Sequence, residues 1–135
     1  MNHKARKTIK KRLISLLIFI TTINVSFAQG YISETIQHDG LIREYSIYVP
    51  ASYDGTTNFP LLFNLHGGGG TIAYHIGIAD MSPIADTANF IIVYPQARPD
   101  PSDGNSFNWI AKVPGTFDDI TFFSSLIDTI ASNYQ

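Results

Sequence analysis

The chain contains no cysteine, so no disulfide can supplement its core and stability has to come from packing. Basic residues are scarce after residue 12. Only Arg43, Arg98 and Lys112 follow, which leaves the later part of the chain acidic and argues against a nucleic-acid partner. The longest apolar run, 13–25, is shorter than the roughly 20 residues that span a bilayer, so no stable membrane anchor is expected. Repeats and low-complexity tracts are missing. No spacing among His38, His75, Asp80 and Asp86 matches a zinc or calcium pattern, and neither metal nor cofactor is expected.

What is present begins with a leader. Lys4, Arg6, Lys7, Lys10, Lys11 and Arg12 precede the apolar run and Ser26-Phe27-Ala28 follows it. These are the three parts of a secretory signal peptide, so cleavage after Ala28 and a secreted or periplasmic product are expected. Residues 29–135 are enough for one small domain and not for two.

Within that domain, 31–37 and 41–49 are two β-like runs joined by His38-Asp39-Gly40, a strong hairpin signal. Leu41, Arg43, Tyr45, Ile47 and Val49 share one face of the second run. The stretch 51–58 reads as a polar loop, and 60–65 as a central strand apolar on both faces. Ser82-Pro83 predicts a helix with Ser82 as its cap, ending near Asn89. A second apolar strand covers 90–94, so strand, helix and strand make a parallel βαβ unit. Residues 96–115 read as a long loop holding Phe107 and Trp109. Residues 116–133 form the strongest helix, with Ile120, Phe123, Leu126, Ile127 and Ile130 at helical spacing and Thr116 with Asp119 as a capping box.

The most chemical passage joins these elements. Leu61-Leu62-Phe63-Asn64-Leu65 runs into His66 and then four glycines, Gly67 to Gly70. A strand that stops in a segment without Cβ atoms can turn sharply and aim backbone N–H groups at one point. Such a point holds negative charge. Gly70-Thr71-Ile72 lacks the lysine of a Walker loop, so a phosphate cradle ranks below a structural turn, and both rank below an anion-stabilising loop. Gly68 is the first choice of donor, with Gly67 and Gly69 as neighbours that give the loop its shape. His66 is expected to support the loop through its ring rather than to act as acid or base. Trp109 is expected to pin the long loop to the body, with a substrate-facing role as the alternative. Ser124 and Ser125 fall mid-helix without an activating base nearby in sequence, and Asp118 and Asp119 suit a helix N-terminus.

This succession resembles the N-terminal half of an α/β-hydrolase, and more narrowly the secreted esterases grouped with poly(3-hydroxybutyrate) depolymerases and feruloyl or acetylxylan esterases. The resemblance rests on Tyr45-Ser46-Ile47-Tyr48-Val49-Pro50, on Pro60 to Gly69, on Phe90-Ile91-Ile92-Val93-Tyr94-Pro95 and on Phe117-Asp118-Asp119-Ile120. It implies an antiparallel hairpin leading into a parallel βαβ sheet with flanking helices. It also implies hydrolysis of a carboxylic ester, polymeric or from a plant cell wall, with His66-Gly67-Gly68-Gly69 as half of an oxyanion hole. The serine, acid and base of such an enzyme are not found here. Gly104-Asn105-Ser106-Phe107-Asn108 lacks the second glycine of a Gly-x-Ser-x-Gly elbow and a leading apolar strand, so the chain reads as truncated before its nucleophile and inactive alone. A secreted, non-catalytic binding or structural domain on the same scaffold is the alternative. Half a parallel sheet leaves an unpaired strand edge, so self-association is expected as well.

Overall fold

A computed structural model describes residues 30–109 and 118–134. The leader, its cleavage after Ala28, Lys112, and the proposed cap Thr116 lie outside the described residues.

The chain opens with the expected hairpin. Strands β1 (Gly30–His38) and β2 (Leu41–Val49) pair antiparallel from Gly30 opposite Val49 to His38 opposite Leu41. Asp39 and Gly40 both have positive φ, 49° and 73°, the requirement of a two-residue type I′ turn that matches the twist of its strands. Strand β3 (Leu61–Phe63) and strand β4 (Ile91–Pro95) then pair in parallel, and β4 also pairs antiparallel with β2. The order is β1-β2-β4-β3.

Sequence and structure part over which strand is central. The expectation placed 60–65 in the middle of the sheet, yet β3 spans three half-buried residues at its edge, while all five residues of β4 are buried. The reason lies just beyond β3. Asn64 still donates to Val93 O at 2.8 Å, but His66 is held by the loops beside it, and the chain turns away after one further residue.

Helices cover both faces of this sheet. Helix α1 (Ile72–Ile78) and helix α2 (Ser82–Ala88) lie on one side, where Ala85, Ile92 and Tyr94 form a small core. Helix α3 (Asp119–Asn133) lies on the other, where Tyr45, Ile47, Val49, Ile91 and Val93 meet Phe122, Leu126 and Ile130. Burying each of those three helix side chains stabilises the fold by about 1.5–3 kcal/mol.

Several local expectations are corrected. Helix α1 was not anticipated, because Ile72, Ile76, Ile78 and Gly77 are poor helix formers; Thr71 caps it by accepting from Tyr74 N at 3.2 Å. Ser82 is the first residue of α2 rather than its cap, and Asp80 Oδ1 accepts from Ser82 N at 2.8 Å instead. Asn89 ends α2 in a left-handed conformation, as expected. The long loop contains its own small sheet, β5 (Arg98–Asp100) and β6 (Ser106–Asn108), joined through a 3₁₀ turn at Pro101–Asp103. Asp118 caps α3, accepting from Ile120 N at 2.9 Å and Thr121 N at 3.1 Å. The buried stripe of α3 is Asp119, Phe122, Leu126 and Ile130, with Ile120 61% and Ile127 47% exposed. The helix is rotated because Asp119 faces inward to meet a buried arginine.

Candidate active site

The glycine run sits where β3 ends, so the sheet delivers it to one end of the parallel strands. Gly70 N donates to Gly67 O at 3.0 Å and Gly69 has φ of 74°, the pattern of a type II turn with Gly69 at the position that needs positive φ. Gly70 is required by space as well. A Cβ there would lie 3.0 Å from Gly67 O and 3.1 Å from His66 Nδ1.

His66 organises the turn from inside. Its Nε2 accepts from Ala97 N at 3.1 Å and lies 3.0 Å from Gln96 Nε2. A backbone N–H can only donate, so Nε2 carries no proton, and Nδ1–H is left to donate to Gly67 O at 2.7 Å. With both nitrogens engaged and the residue buried, His66 has no lone pair free to take a proton from a nucleophile. Gln96 ties the same turn to α1: its Oε1 accepts from Ile72 N at 3.0 Å, and its Nε2 reaches Gly70 O at 3.4 Å.

A second layer comes from β6 and the residue after it. Phe107 O accepts from Gly69 N at 2.8 Å, and Trp109 Nε1 donates to His66 O at 2.7 Å. The Trp109 ring lies 4.9 Å from the His66 ring and 5.4 Å from Phe123, so it anchors the loop to α3. Asn108 covers the turn: a Cβ on Gly68 would meet its Oδ1 at 3.0 Å, and its Nδ2 donates to Asp103 at 2.9 Å. Gly69 N–H is therefore engaged and cannot serve as an anion donor. Among the described residues Gly67 and Gly68 N–H have no partner, and both residues are exposed.

Beneath the turn lies an ion pair that sequence reasoning missed. Arg43 Nη2 donates to Asp119 Oδ1 at 2.6 Å and approaches Gln96 O at 3.4 Å, and its guanidinium stacks 3.7 Å over the Phe122 ring. Both side chains are fully buried. Burial pushes the Arg43 guanidinium below its ordinary value, and Asp119 opposes the shift. The signal was legible in part, since Arg43 falls on the inward face of β2.

The remaining polar candidates sit elsewhere. Ser106 lies in β6 opposite Asp100, not on a strand-to-helix turn. Ser124 Oγ donates to Ile120 O. Ser125 Oγ is 3.1 Å from His38 Nδ1, and His38 Nε2 is 3.4 Å from Asp39. These residue types match a nucleophilic triad, but Ser125 donates to Thr121 O at 3.0 Å, and mid-helix N–H groups point along the axis. His38 joins the hairpin turn to α3, with Nε2 also 3.1 Å from Thr121 Oγ1. His75 joins α1 to β3 through Asn64 Oδ1 at 2.8 Å. Both histidines therefore tie two parts of the fold together. Among the described residues no three His, Asp or Glu side chains form a metal-binding group.

Comparison with solved structures bears on the fold. A ferulic acid esterase superposes with a TM-score of 0.58 over 80% of this chain and 46% of its own, at 21% identity. The fold is α/β-hydrolase-like. A thermostable esterase superposes with a TM-score of 0.51 over 77% of this chain and 31% of its own, at 15% identity. An S-formylglutathione hydrolase from Agrobacterium tumefaciens gives 0.47, at 20% identity over 58% of this chain and 29% of its own. The chain thus spans less than half the length of each of these proteins. No protein-family model and no curated protein sequence matches it.

Proposed function

We propose that the His66–Gly69 turn is half of the oxyanion site of a secreted carboxylic ester hydrolase, acting on a polyhydroxyalkanoate or a cell-wall polysaccharide ester. The observation that carries this reading is Gly68 N–H, exposed and unengaged within a turn that is held from both sides. In ester hydrolysis a serine oxygen adds to the carbonyl carbon, and the former carbonyl oxygen takes the negative charge until the alcohol leaves. A backbone donor fixed where that charge appears is worth about 3 kcal/mol of barrier. Gly67 and Gly69 give the turn its shape, His66 supports it, and Trp109 seats it. None of the described residues fills the roles of nucleophile, acid and base, so the chain alone is expected not to turn over ester.

One observation favours the second reading, a secreted non-catalytic domain: the serine nearest to an elbow motif, Ser106, is committed to a strand. The test is a chimera in which residues 64–72 of this chain replace the corresponding loop of the ferulic acid esterase. Retained turnover, reduced about 10²–10³-fold in kcat with KM little changed by Gly68→Pro, supports the oxyanion role; position 68 is the second residue of the turn, where the φ of proline fits. A folded chimera that Gly68→Pro leaves equally active, or that is inactive with glycine in place, contradicts it.

A further inference from the structure

The two faces of the β1–β2 hairpin differ by sequence alternation alone. Ile32 and Ile36 pack with Tyr45 and Ile47 towards α3. On the opposite face Ser33 and Thr35 of β1 stand across from Ser46 and Glu44 of β2, so that face is covered by hydroxyls and a carboxylate.

Helix α1 stands beside that polar face, and the two enclose a groove of about 730 Å³, within the size range of small-ligand sites. The helix side is apolar, with Ile72, Ala73 and Ile76. Tyr31 stands at one end, 41% exposed. Its hydroxyl donates to Asp80 Oδ1 at 2.5 Å and its ring lies 4.9 Å from that of Tyr48, so the exposed ring is held in place. Gln96 and Phe107 line the other end. Gln96 N donates to Glu44 O, and Phe107 O accepts from Gly69 N, so this end adjoins the glycine turn.

The groups in the groove select among ligands. Glu34 and Glu44 are its charged residues, and among the described residues no Lys, Arg or His lines it, so an anion would find no counter-charge. The Ser33 and Thr35 hydroxyls and the Glu44 carboxylate are exposed and have no partner among the described residues. A carboxylate only accepts, so its ligand must donate, and a polyester has no O–H or N–H to give. An ammonium donates but cannot accept from the two hydroxyls. A sugar hydroxyl does both, and the C–H face of a sugar ring suits Tyr31 and the apolar side of α1. We propose that the groove between the hairpin and α1 binds a short segment of neutral glycan and leads it to the glycine turn. Of the two ester classes named above this favours the polysaccharide. To that extent it rests on the ester-hydrolase reading, whereas the binding itself needs no turnover.

Titration of the full chain with neutral tetrasaccharides of β-1,4-linked xylose and of β-1,4-linked glucose, followed by amide NMR shifts, tests it. Saturable shifts at Ser33, Thr35, Glu44 and Ala73 are expected with at least one of the two sugars. Glu44→Ala, at an exposed position and so compatible with folding, weakens that binding about tenfold. Ile84→Lys, on an exposed position of α2, leaves it unchanged. Circular dichroism of each variant confirms that the fold is kept. No saturable shift with either sugar, shifts confined to residues outside the groove, binding that Glu44→Ala does not weaken, or equal or tighter binding of tetralysine or of a 3-hydroxybutyrate tetramer overturns the proposal. Because binding is read without turnover, an inactive chimera alongside glycan bound in the groove would overturn the ester-hydrolase reading alone, and an active chimera without glycan binding would overturn this proposal alone.

Discussion

Two places in this molecule bring backbone N–H groups together, and they are finished in opposite ways. At the start of α3, Ile120 N and Thr121 N converge on the carboxylate of Asp118, so the chain supplies its own anion. At the glycine turn, Gly67 N and Gly68 N have no partner among the described residues, although the turn around them is bound through His66, Gln96, Phe107 and Trp109. At the starts of α1 and α2 a single N–H is met by a side chain, Tyr74 N by the Thr71 hydroxyl and Ser82 N by the Asp80 carboxylate. On the proposed reading, two donors without a partner among the described residues, in a turn held this firmly, make a place for a ligand's negative charge. Free donors in a loose loop would carry no such meaning, because nothing would hold them in position.

The largest effect is expected where the two places are joined. Asp119 begins α3, and its partner Arg43 reaches the Gln96 carbonyl under the turn. Asp119→Ala leaves a buried guanidinium without its counter-charge and should cost about 3–5 kcal/mol. Chemical denaturation would then show little folded protein at room temperature. The paired change Arg43→Met with Asp119→Leu should restore most of that stability, since no buried charge remains; a single variant as stable as the parent would break the link between helix and turn.

The effect of the built-in anion is smaller. Hydrogen bonding from the Thr121 backbone holds the exposed Asp118 carboxyl below its ordinary value. A carboxylate lowered in the folded state stabilises the fold above its unfolded pKa, roughly 3.9, and that contribution is lost as pH falls through the folded value. Asp118→Ala should therefore lower the melting temperature by a few degrees at pH 7 and have less effect near pH 3. Equal losses at both values would show that the cap is not acting through its charge.

How much of this was legible in the sequence differs between the two places. The glycine run, its position after an apolar strand, and the support from His66 follow from local residue order. The β5–β6 sheet that grips the turn does not, because three-residue strands leave no period to read and the bond by which they hold the turn, Gly69 N to Phe107 O, crosses a long sequence separation. The inward rotation of α3 was hidden for a related reason. Spacing pointed to one stripe through Ile120, Phe123, Leu126, Ile127 and Ile130, whereas Asp119, an acidic residue, lies on the buried one, where it meets Arg43.

Amide hydrogen exchange, followed by NMR at Gly67, Gly68, Gly69 and Gly70, tests the open pair of donors most directly. Gly69 and Gly70, bonded to Phe107 O and Gly67 O, should be protected together with the ordered turn, while Gly67 and Gly68 exchange close to the rate of an unstructured chain. Uniformly fast exchange at all four glycines would mean that the turn is not held in place, and uniform protection would mean that its donors are already taken; either result contradicts the account.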